Sequence, residues 1–246
     1  MSGVLLQIAP AGEPHGDALS APIRERLEAL YDRVPDVICG CDRPGQCCWL
    51  TEEEMAAEFA TMYPLYTVEY LNIVDYVRRH FDPNRQAEYL GIIEERPTRC
   101  PFLTEAGACS IHPVRPLVCR TYGVLDREQV EKTALDAKGE LPGDWIRRFL
   151  FTERQTVCPH TRVVQPEKVA AHAEAMVSSA YERELLRMGQ EVEGLDGVRQ
   201  RVLREVTDLK WITRWTWGGF NALMRAPAEW VKRHFADYWE AAFLGE

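Results

Sequence analysis

The sequence predicts a mainly α-helical fold in which a helical scaffold carries cysteine-rich loops, with at most a small hairpin. Apolar residues recur at helical spacing near both ends of the chain. Prolines and glycines are frequent in the intervening segments, which hold all eight cysteines. Hydrophobic residues make up 46% of the 246 residues, which is enough to form a buried core.

The first predicted helix begins after Ser20, which can cap it, has Pro22 in its first turn and ends near Pro35. Its apolar face comprises Ile23, Leu27, Leu30 and Tyr31. Thr51 followed by Glu54 has the spacing of a capping box and predicts a second helix. This helix carries Met55, Phe59 and Met62.

A third helix is predicted over residues 68–81, where Asp82, Pro83 and Asn84 end it. Its buried face comprises Leu71, Val74, Val77 and Phe81. We expect a short strand over residues 89–93 and a compact loop, with room for a hairpin, over 97–120. Further helices are predicted over residues 166–188, 198–209 and 226–243.

These elements suggest three regions. Residues 1–20 form a flexible leader, residues 21–160 a cysteine-cluster domain that binds metal, and residues 161–246 a helical, tryptophan-rich lobe. Arg214 and a break at Gly218-Gly219 argue against a long membrane-lying helix in this lobe.

Charge and hydropathy exclude several classes of protein. The net charge of −9 argues against nonspecific binding to nucleic acids or anionic lipid. No run of about 18 uncharged apolar residues occurs, so we expect no membrane-spanning helix. The first residues lack the basic and apolar regions of a secretory signal, and we therefore expect a cytoplasmic protein.

The cysteines are the unusual feature of the composition. They are Cys39, Cys41, Cys47, Cys48, Cys100, Cys109, Cys119 and Cys158. Burial as apolar filler is disfavoured because they lie in loops, and disulfides would need an oxidising compartment. A metal site therefore remains, in which all eight are candidate ligands.

Zinc and iron–sulfur clusters are the two metal centres to weigh. Zinc sites usually show two short ligand pairs, which this spacing lacks, although four thiolates could still bind zinc. Iron–sulfur clusters accept ligands from more widely separated loops. Cys100 and Cys158 are each followed by proline, as in many ferredoxin ligand runs. The vicinal pair Cys47-Cys48 favours two centres, or one centre and a free thiol.

The motifs that carry a family resemblance are Gly45-Gln46-Cys47-Cys48, Cys100-Pro101-Phe102-Leu103, Gly107, Cys109-Ser110-Ile111, Arg115-Pro116 and Cys119-Arg120. They resemble the YkgJ-type cysteine-cluster family, also known as a zinc- or iron-chelating domain, over roughly residues 39–160. The resemblance implies a metal or iron–sulfur centre bound by these cysteines. The wider group includes proteins similar to flagellin lysine N-methylases.

The sequence departs from the family pattern at two positions. The opening cysteines are spread over Cys39 and Cys41, and His112 stands where the family commonly has tyrosine. His112 and His160 can replace a thiolate, although a supporting role is favoured. Arg115 and Arg120 flank Cys119 and can offset thiolate charge, although support of the loop is again favoured.

These observations predict an iron–sulfur protein with one or two 4Fe–4S clusters, a redox or electron-transfer role and a redox or protein partner. The alternative is a structural zinc protein that acts as an interaction module. The common hydrolase, nucleotide-binding and radical-SAM motifs are missing from the sequence, so the nature of any catalysis stays open.

Overall fold

The structure is a computed structural model, and it describes residues 19–49, 65–92, 98–125, 128, 129, 132, 158, 160–192 and 217–234. Its α-helices are α1 (Ala21–Tyr31), α2 (Thr67–His80), α3 (Pro83–Gly91), α4 (Leu117–Thr121), α5 (Val169–Val177), α6 (Ala180–Gln190), α7 (Trp217–Arg225) and α8 (Pro227–His234). Its strands are β1 (Val37–Cys39) and β2 (Thr161–Val163). Single 3₁₀ turns occur at Gln46–Cys48, His112–Val114 and Pro166–Lys168. The mainly helical fold is thus confirmed.

Helix α2 lies at the centre of the core and contacts both α3 and α6. Its buried apolar residues include Val68, Leu71, Val74 and Val77. Helix α1 also packs on α6 and buries the four residues that its apolar spacing predicts: Ile23, Leu27, Leu30 and Tyr31. The predicted apolar face of α1 is therefore confirmed, because a wide apolar stripe leaves a helix one favourable orientation on the core. For α2 the prediction holds for Leu71, Val74 and Val77, whereas Phe81 follows the end of the helix and is only partly buried.

The predicted strand over residues 89–93 is wrong, because Tyr89, Leu90 and Gly91 belong to helix α3. Asp82 explains the difference. Its carboxylate accepts hydrogen bonds from the backbone N–H groups of Asn84 and Arg85, and so caps a new helix directly after α2 ends.

Two predictions for the C-terminal helices also need correction. The helix predicted over residues 166–188 is divided into a 3₁₀ turn, α5 and α6, and Ser179 has a left-handed backbone conformation between the two helices (φ 54°). Gly218 and Gly219 lie inside α7 and do not break it. Packing of the neighbouring Trp217 and Phe220, both buried, overrides the low helix propensity of glycine.

Aromatic side chains join α7 to the cysteine-rich loops. The Trp217 ring lies 5.1 Å from that of Tyr70 and 4.9 Å from that of Phe102. Phe102 is buried and stands between Cys100 and Cys109 in the sequence. Trp217 also donates a hydrogen bond to the carbonyl of Tyr89 at 2.8 Å. The core therefore anchors the loop from which these cysteines project.

Strands β1 and β2 pair antiparallel, with Val37 opposite Val163 and Cys39 opposite Thr161. The pair joins segments more than 120 residues apart in the sequence, so it is a long-range contact and not a local hairpin. Core residues likewise come from both sides of residue 160. The division into three regions stays a prediction.

Several predicted elements lie outside the described residues: the leader, the helix that follows Thr51, the helix over residues 198–209 and the end of the last helix. Among the helices of the described ranges, none combines the length and the apolar character needed to cross a membrane.

Two glycines allow the loops that carry the cysteines to approach closely. Gly45 and Gly107 both have positive φ values, of 81° and 76°. A Cβ atom on Gly107 would lie 2.5 Å from the carbonyl oxygen of Pro44, and one on Gly45 would lie 2.9 Å from the carbonyl oxygen of Gly107. A Cβ atom at either glycine would clash with backbone atoms, and rotation of a side chain cannot relieve such a clash.

We expect Gly107→Ala to lower the free energy of unfolding by about 2–4 kcal/mol, because it combines left-handed backbone strain with a backbone clash. Gly91→Ala is the matched control, since a Cβ atom on Gly91 would have nothing within 4 Å and the φ of this residue is not positive. This control should change stability by less than about 1 kcal/mol. Urea unfolding of both variants in a chelating buffer measures the difference in their free energies of unfolding. Equal urea midpoints for Gly107→Ala and Gly91→Ala would contradict the close approach of Gly107 to Pro44.

Candidate metal centre

The eight cysteines divide into two groups according to the thiols that they contact. The five-thiol group consists of Cys47, Cys48, Cys100, Cys109 and Cys119. The three-thiol group consists of Cys39, Cys41 and Cys158. All eight are free thiols.

Cys48 links the members of the five-thiol group. Its thiol is hydrogen-bonded to the thiols of Cys47 and Cys100. It also interacts electrostatically with Cys109 and Cys119. Thiols from the turn at residues 46–48, from the loop at residues 100–109 and from helix α4 therefore lie close enough to interact.

The backbone fixes this meeting point. The N–H of Cys100 donates to the carbonyl of Cys48 at 2.8 Å, and Trp49 forms an isolated antiparallel bridge with Arg99. The Arg99 guanidinium also lies over the Trp49 ring, 5.5 Å from its centroid. The two loops are thus held together independently of the thiols.

A tight turn brings Cys109 back towards Cys100. Leu103 and Cys109 form an isolated antiparallel bridge, and the N–H of Thr104 donates to the carbonyl of Ala108 at 2.8 Å. The hairpin that the sequence allowed here is therefore present in its smallest form.

Helix α4 carries Cys119, and the buried carboxylate of Glu69 on α2 fixes the start of that helix. The Glu69 Oε1 atom accepts a hydrogen bond from the Leu117 N–H at 2.6 Å and another from the Tyr31 hydroxyl at 2.8 Å. A helix of five residues has little stability of its own, so this contact decides where Cys119 lies. Cys119 is exposed as a residue, whereas its thiol lies among protein atoms.

Arg115 provides positive charge to the five-thiol group. It lowers the pKa values of Cys47, Cys109 and Cys119 electrostatically. Its Nε atom is buried and has no hydrogen-bond partner among the described residues. A partly buried guanidinium that faces several thiols suits a thiolate–metal centre, because such a centre carries net negative charge. The donor set and this cation both fit a bound metal.

Arg120 has a different role. Its Nε atom donates to the carbonyl of Arg115 and its Nη2 atom donates to that of Pro113, both at 2.8 Å. Its guanidinium lies over the Tyr31 ring, 4.0 Å from the centroid. Arg120 therefore supports the loop, whereas Arg115 faces the thiols.

Four thiols of the five-thiol group have raised pKa values and are protonated at neutral pH: those of Cys47, Cys48, Cys109 and Cys119. The hydrogen bond that the Cys48 thiol donates to Cys100 is the main cause that raises the pKa of Cys48 to about 12, and burial is the main cause that raises the pKa of Cys119. Within the described ranges, no three His, Cys, Asp or Glu side chains already converge as metal ligands. Metal binding must therefore release thiol protons and redirect these side chains.

The three-thiol group lies beside the β1–β2 pair. The Sγ atoms of Cys39 and Cys41 are 3.0 Å apart, and the Cys41 thiol is also hydrogen-bonded to that of Cys158. The contact with Cys39 is the main cause that raises the pKa of Cys41 to about 12. The N–H of Gly40 donates to the carbonyl of His160 at 2.8 Å, which ties the two segments together.

The two candidate histidines differ from the thiols in what they contribute. Burial, assisted by Arg115 and Arg120, lowers the pKa of His112, so its imidazole is neutral at pH 7. His160 contributes its backbone carbonyl to the contact with Gly40. Both observations agree with supporting roles.

Residues 40–138 match the model of the CxxCxxCC family, which is described as "Putative zinc- or iron-chelating domain". The match agrees with the resemblance that the cysteine motifs carry. The matched residues contain the whole five-thiol group and Cys41, whereas Cys39 and Cys158 lie outside them. No curated protein matches the chain, and no solved structure does.

The structure brings the predicted ligand candidates together as two groups and adds one residue that the sequence did not indicate. Glu69 follows Tyr66 at the spacing of a helix cap, and its Oε2 atom does accept a hydrogen bond from the Tyr66 N–H at 3.3 Å. No sequence signal shows that its other oxygen reaches Leu117, which is 48 residues away.

We expect Glu69 to make stability depend on pH. Burial raises the pKa of its carboxyl from 4.5 to about 7, so the folded protein binds more protons than the unfolded chain between these values. The contribution of Glu69 is therefore complete below pH 4.5 and is lost as the pH rises to 7, a change of about 3 kcal/mol. Glu69→Gln keeps an acceptor for Leu117 and removes this dependence.

Urea unfolding in chelator at a series of pH values between 4.5 and 7.5 tests this expectation. The free energy of unfolding of the unsubstituted protein should fall more steeply than that of Glu69→Gln as the pH rises. Glu88→Gln is the control, since Glu88 is an exposed partner of Arg85 and contributes little. Parallel curves for the unsubstituted protein and Glu69→Gln would show that Glu69 does not titrate in this way.

Proposed function

We propose that the five-thiol group holds a 4Fe–4S cluster and that the protein uses it in electron transfer or in support of a modification reaction. The observation that carries the proposal is the meeting of thiols from three separate segments next to Arg115. We assign Cys48, Cys100, Cys109 and Cys119 as ligands, because Cys48 interacts with the other three. Cys47 is then an exposed neighbour.

The spacing of these cysteines favours a cluster over a single zinc ion. Zinc ribbons draw two ligands from each of two tight turns, whereas here the four ligands come from a 3₁₀ turn, both ends of a loop and a short helix. The larger core of a cluster accepts such separated ligands, and Cys100 has the proline that often follows a ferredoxin ligand.

A bound cluster would supply one-electron redox chemistry. The chain's own residues support that role in two ways. Arg115 would offset the negative charge of four thiolates. Because Cys47 and Cys119 are exposed, electrons would travel only a short distance between the cluster and a redox partner at the surface. A reducing compartment such as the cytoplasm would keep the eight thiols free for metal.

A structural zinc site is the second candidate. Four thiolates satisfy the tetrahedral coordination of zinc, and the description of the CxxCxxCC family covers both metals. In this case the protein would act as an interaction module, and metal binding would contribute to folding without redox chemistry.

Metal and sulfide analysis of protein purified without oxygen distinguishes the two candidates. We expect a brown protein that contains iron and acid-labile sulfide in about equal amounts, close to four of each per chain. The triple variant Cys100→Ser, Cys109→Ser, Cys119→Ser should lose both, whereas Cys39→Ser should keep both. Stoichiometric zinc with neither iron nor sulfide would overturn the cluster and support the zinc candidate.

We expect Arg115→Gln to make the cluster harder to reduce and to weaken its retention by about 10- to 100-fold, because it removes the positive charge next to the thiolates. Arg26→Gln is the control of equal charge change, since Arg26 pairs with Glu191 at the surface. Redox titration and the rate of iron loss to a chelator measure the effect. Identical values for the two variants would show that Arg115 does not act on the centre.

A further inference from the structure

We propose that an acidic redox protein docks on a surface formed by the side chains of Trp49 and Arg99, the Trp49–Arg99 surface, and exchanges one electron with this protein there. The redox role of this partner rests on the cluster proposed above, whereas its binding to the surface is measurable without a cluster. Trp49 directly follows Cys48 and Arg99 directly precedes Cys100. The surface therefore adjoins two of the assigned ligands.

Exposed apolar side chains occur close to the cysteines. Among the described residues, the large apolar residues that are exposed are Ile38, Trp49 and Val164. The first two are sequence neighbours of cysteines, and Val164 directly follows β2, the partner of the strand that ends at Cys39. Trp49 is the largest of them and is 50% exposed, although tryptophan is highly buried on average. Its ring therefore provides the apolar anchor that a docking surface needs.

Arg99 is held in place beside this ring. Its guanidinium lies over the Trp49 ring, 5.5 Å from the centroid. Its Nη2 atom donates to the carbonyl of Leu103 at 2.8 Å, and its Nη1 atom pairs with Glu105 at 3.0 Å. An arginine that is already ordered loses little conformational entropy when a partner binds. Tryptophan and arginine are also enriched among the residues that dominate binding energy at protein interfaces.

The charge of the segments around the five-thiol group differs from that of the whole chain. Residues 40–49 and 98–125 contain four arginines and two acidic residues, whereas the net charge of the chain is −9. These residues are Arg43, Arg99, Arg115 and Arg120, and Asp42 and Glu105. An acidic partner is repelled by the rest of the chain and least by these segments, so the charge distribution orients it towards them. A basic partner would be drawn to the acidic remainder instead.

The reaction at this surface is a one-electron transfer. The reduced partner loses one electron, which the oxidised cluster gains, so no bond forms or breaks and no proton has to move. The two redox groups need only approach each other, and a docking surface next to two ligands brings them together.

The probe for this proposal is reduced flavodoxin, a small acidic flavoprotein that can give up one electron. Its flavin absorption can be followed apart from that of the cluster. Stopped-flow mixing with the oxidised holoprotein at low ionic strength measures the second-order rate constant of the transfer. Raising the salt concentration should lower this rate constant, because salt screens the attraction between the two surfaces.

We expect Trp49→Ala and Arg99→Gln each to lower the rate constant by about 10-fold or more. Trp49→Phe keeps an aromatic ring and should keep most of the rate. Arg26→Gln is the control of equal charge change, since Arg26 pairs with Glu191 at the surface. Rate constants that are the same for Trp49→Ala, Arg99→Gln and Arg26→Gln would overturn the surface.

Glu105 offers a substitution whose expected effect a damaged fold would not produce. Its side chain is 94% exposed and pairs with Arg99. Glu105→Gln should raise the rate constant by about 2- to 5-fold at low ionic strength, because it removes a charge that repels the acidic partner. Glu88→Gln removes an equal charge from the exposed pair with Arg85 and should change the rate constant much less. A decrease with Glu105→Gln would overturn the proposal.

Binding measurements separate this proposal from that of the cluster. Isothermal titration calorimetry of oxidised flavodoxin with the same variants detects docking whatever metal the protein holds. If the protein contains zinc and no iron, the redox role fails, and weaker binding to Trp49→Ala than to Trp49→Phe still supports the surface. If the protein contains iron and sulfide and flavodoxin reduces every variant equally fast, the cluster stands and the surface is overturned.

Discussion

The carboxylate of Glu69 is the contact on which the candidate metal centre depends. It is buried in α2 and accepts hydrogen bonds from the Tyr31 hydroxyl and the Leu117 N–H, so it joins α1, α2 and the short helix that carries Cys119. A buried carboxylate is costly unless its oxygens are hydrogen-bonded. The hydrogen bond from the Leu117 N–H that satisfies Glu69 therefore also fixes α4 against the core. Replacing this acceptor would remove the hydrogen bond that holds the start of α4 to α2.

Much of the fold could be predicted from the sequence where one local signal decides the outcome. The apolar stripes of α1 and α2 and the loop nature of the cysteine region follow from spacing and from proline and glycine content. The predicted strand over residues 89–93 failed because the cap at Asp82 was read as the end of one helix and not as the start of another. The predicted break at Gly218-Gly219 is wrong because tertiary packing of Trp217 outweighs the low helix propensity of glycine.

The residues of the candidate site could be predicted from the sequence, but their division into two groups in space could not. Spacing alone identified all eight cysteines, but their division into five and three depends on contacts across the whole chain. The β1–β2 pair places Cys158 next to Cys41. No local sequence pattern predicts the pairing of two strands that have only three residues each. Arg115 and Arg120 looked equivalent in the sequence because both flank Cys119. The structure separates them, since only Arg120 has its guanidinium bonded to nearby carbonyls among the described residues.

The long-range pairing of β1 with β2 has a consequence for the order in which the protein matures. Cys119, the last member of the five-thiol group, leaves the ribosome 39 residues before Cys158. At about 5–20 residues per second, the five-thiol group is complete about 2–8 seconds before the three-thiol group can exist. All residues of the first group are therefore synthesised while β1 still has no partner strand. Pairing of β1 with β2 follows, and α6 and α7, which pack on α2 and on Phe102, are synthesised later still.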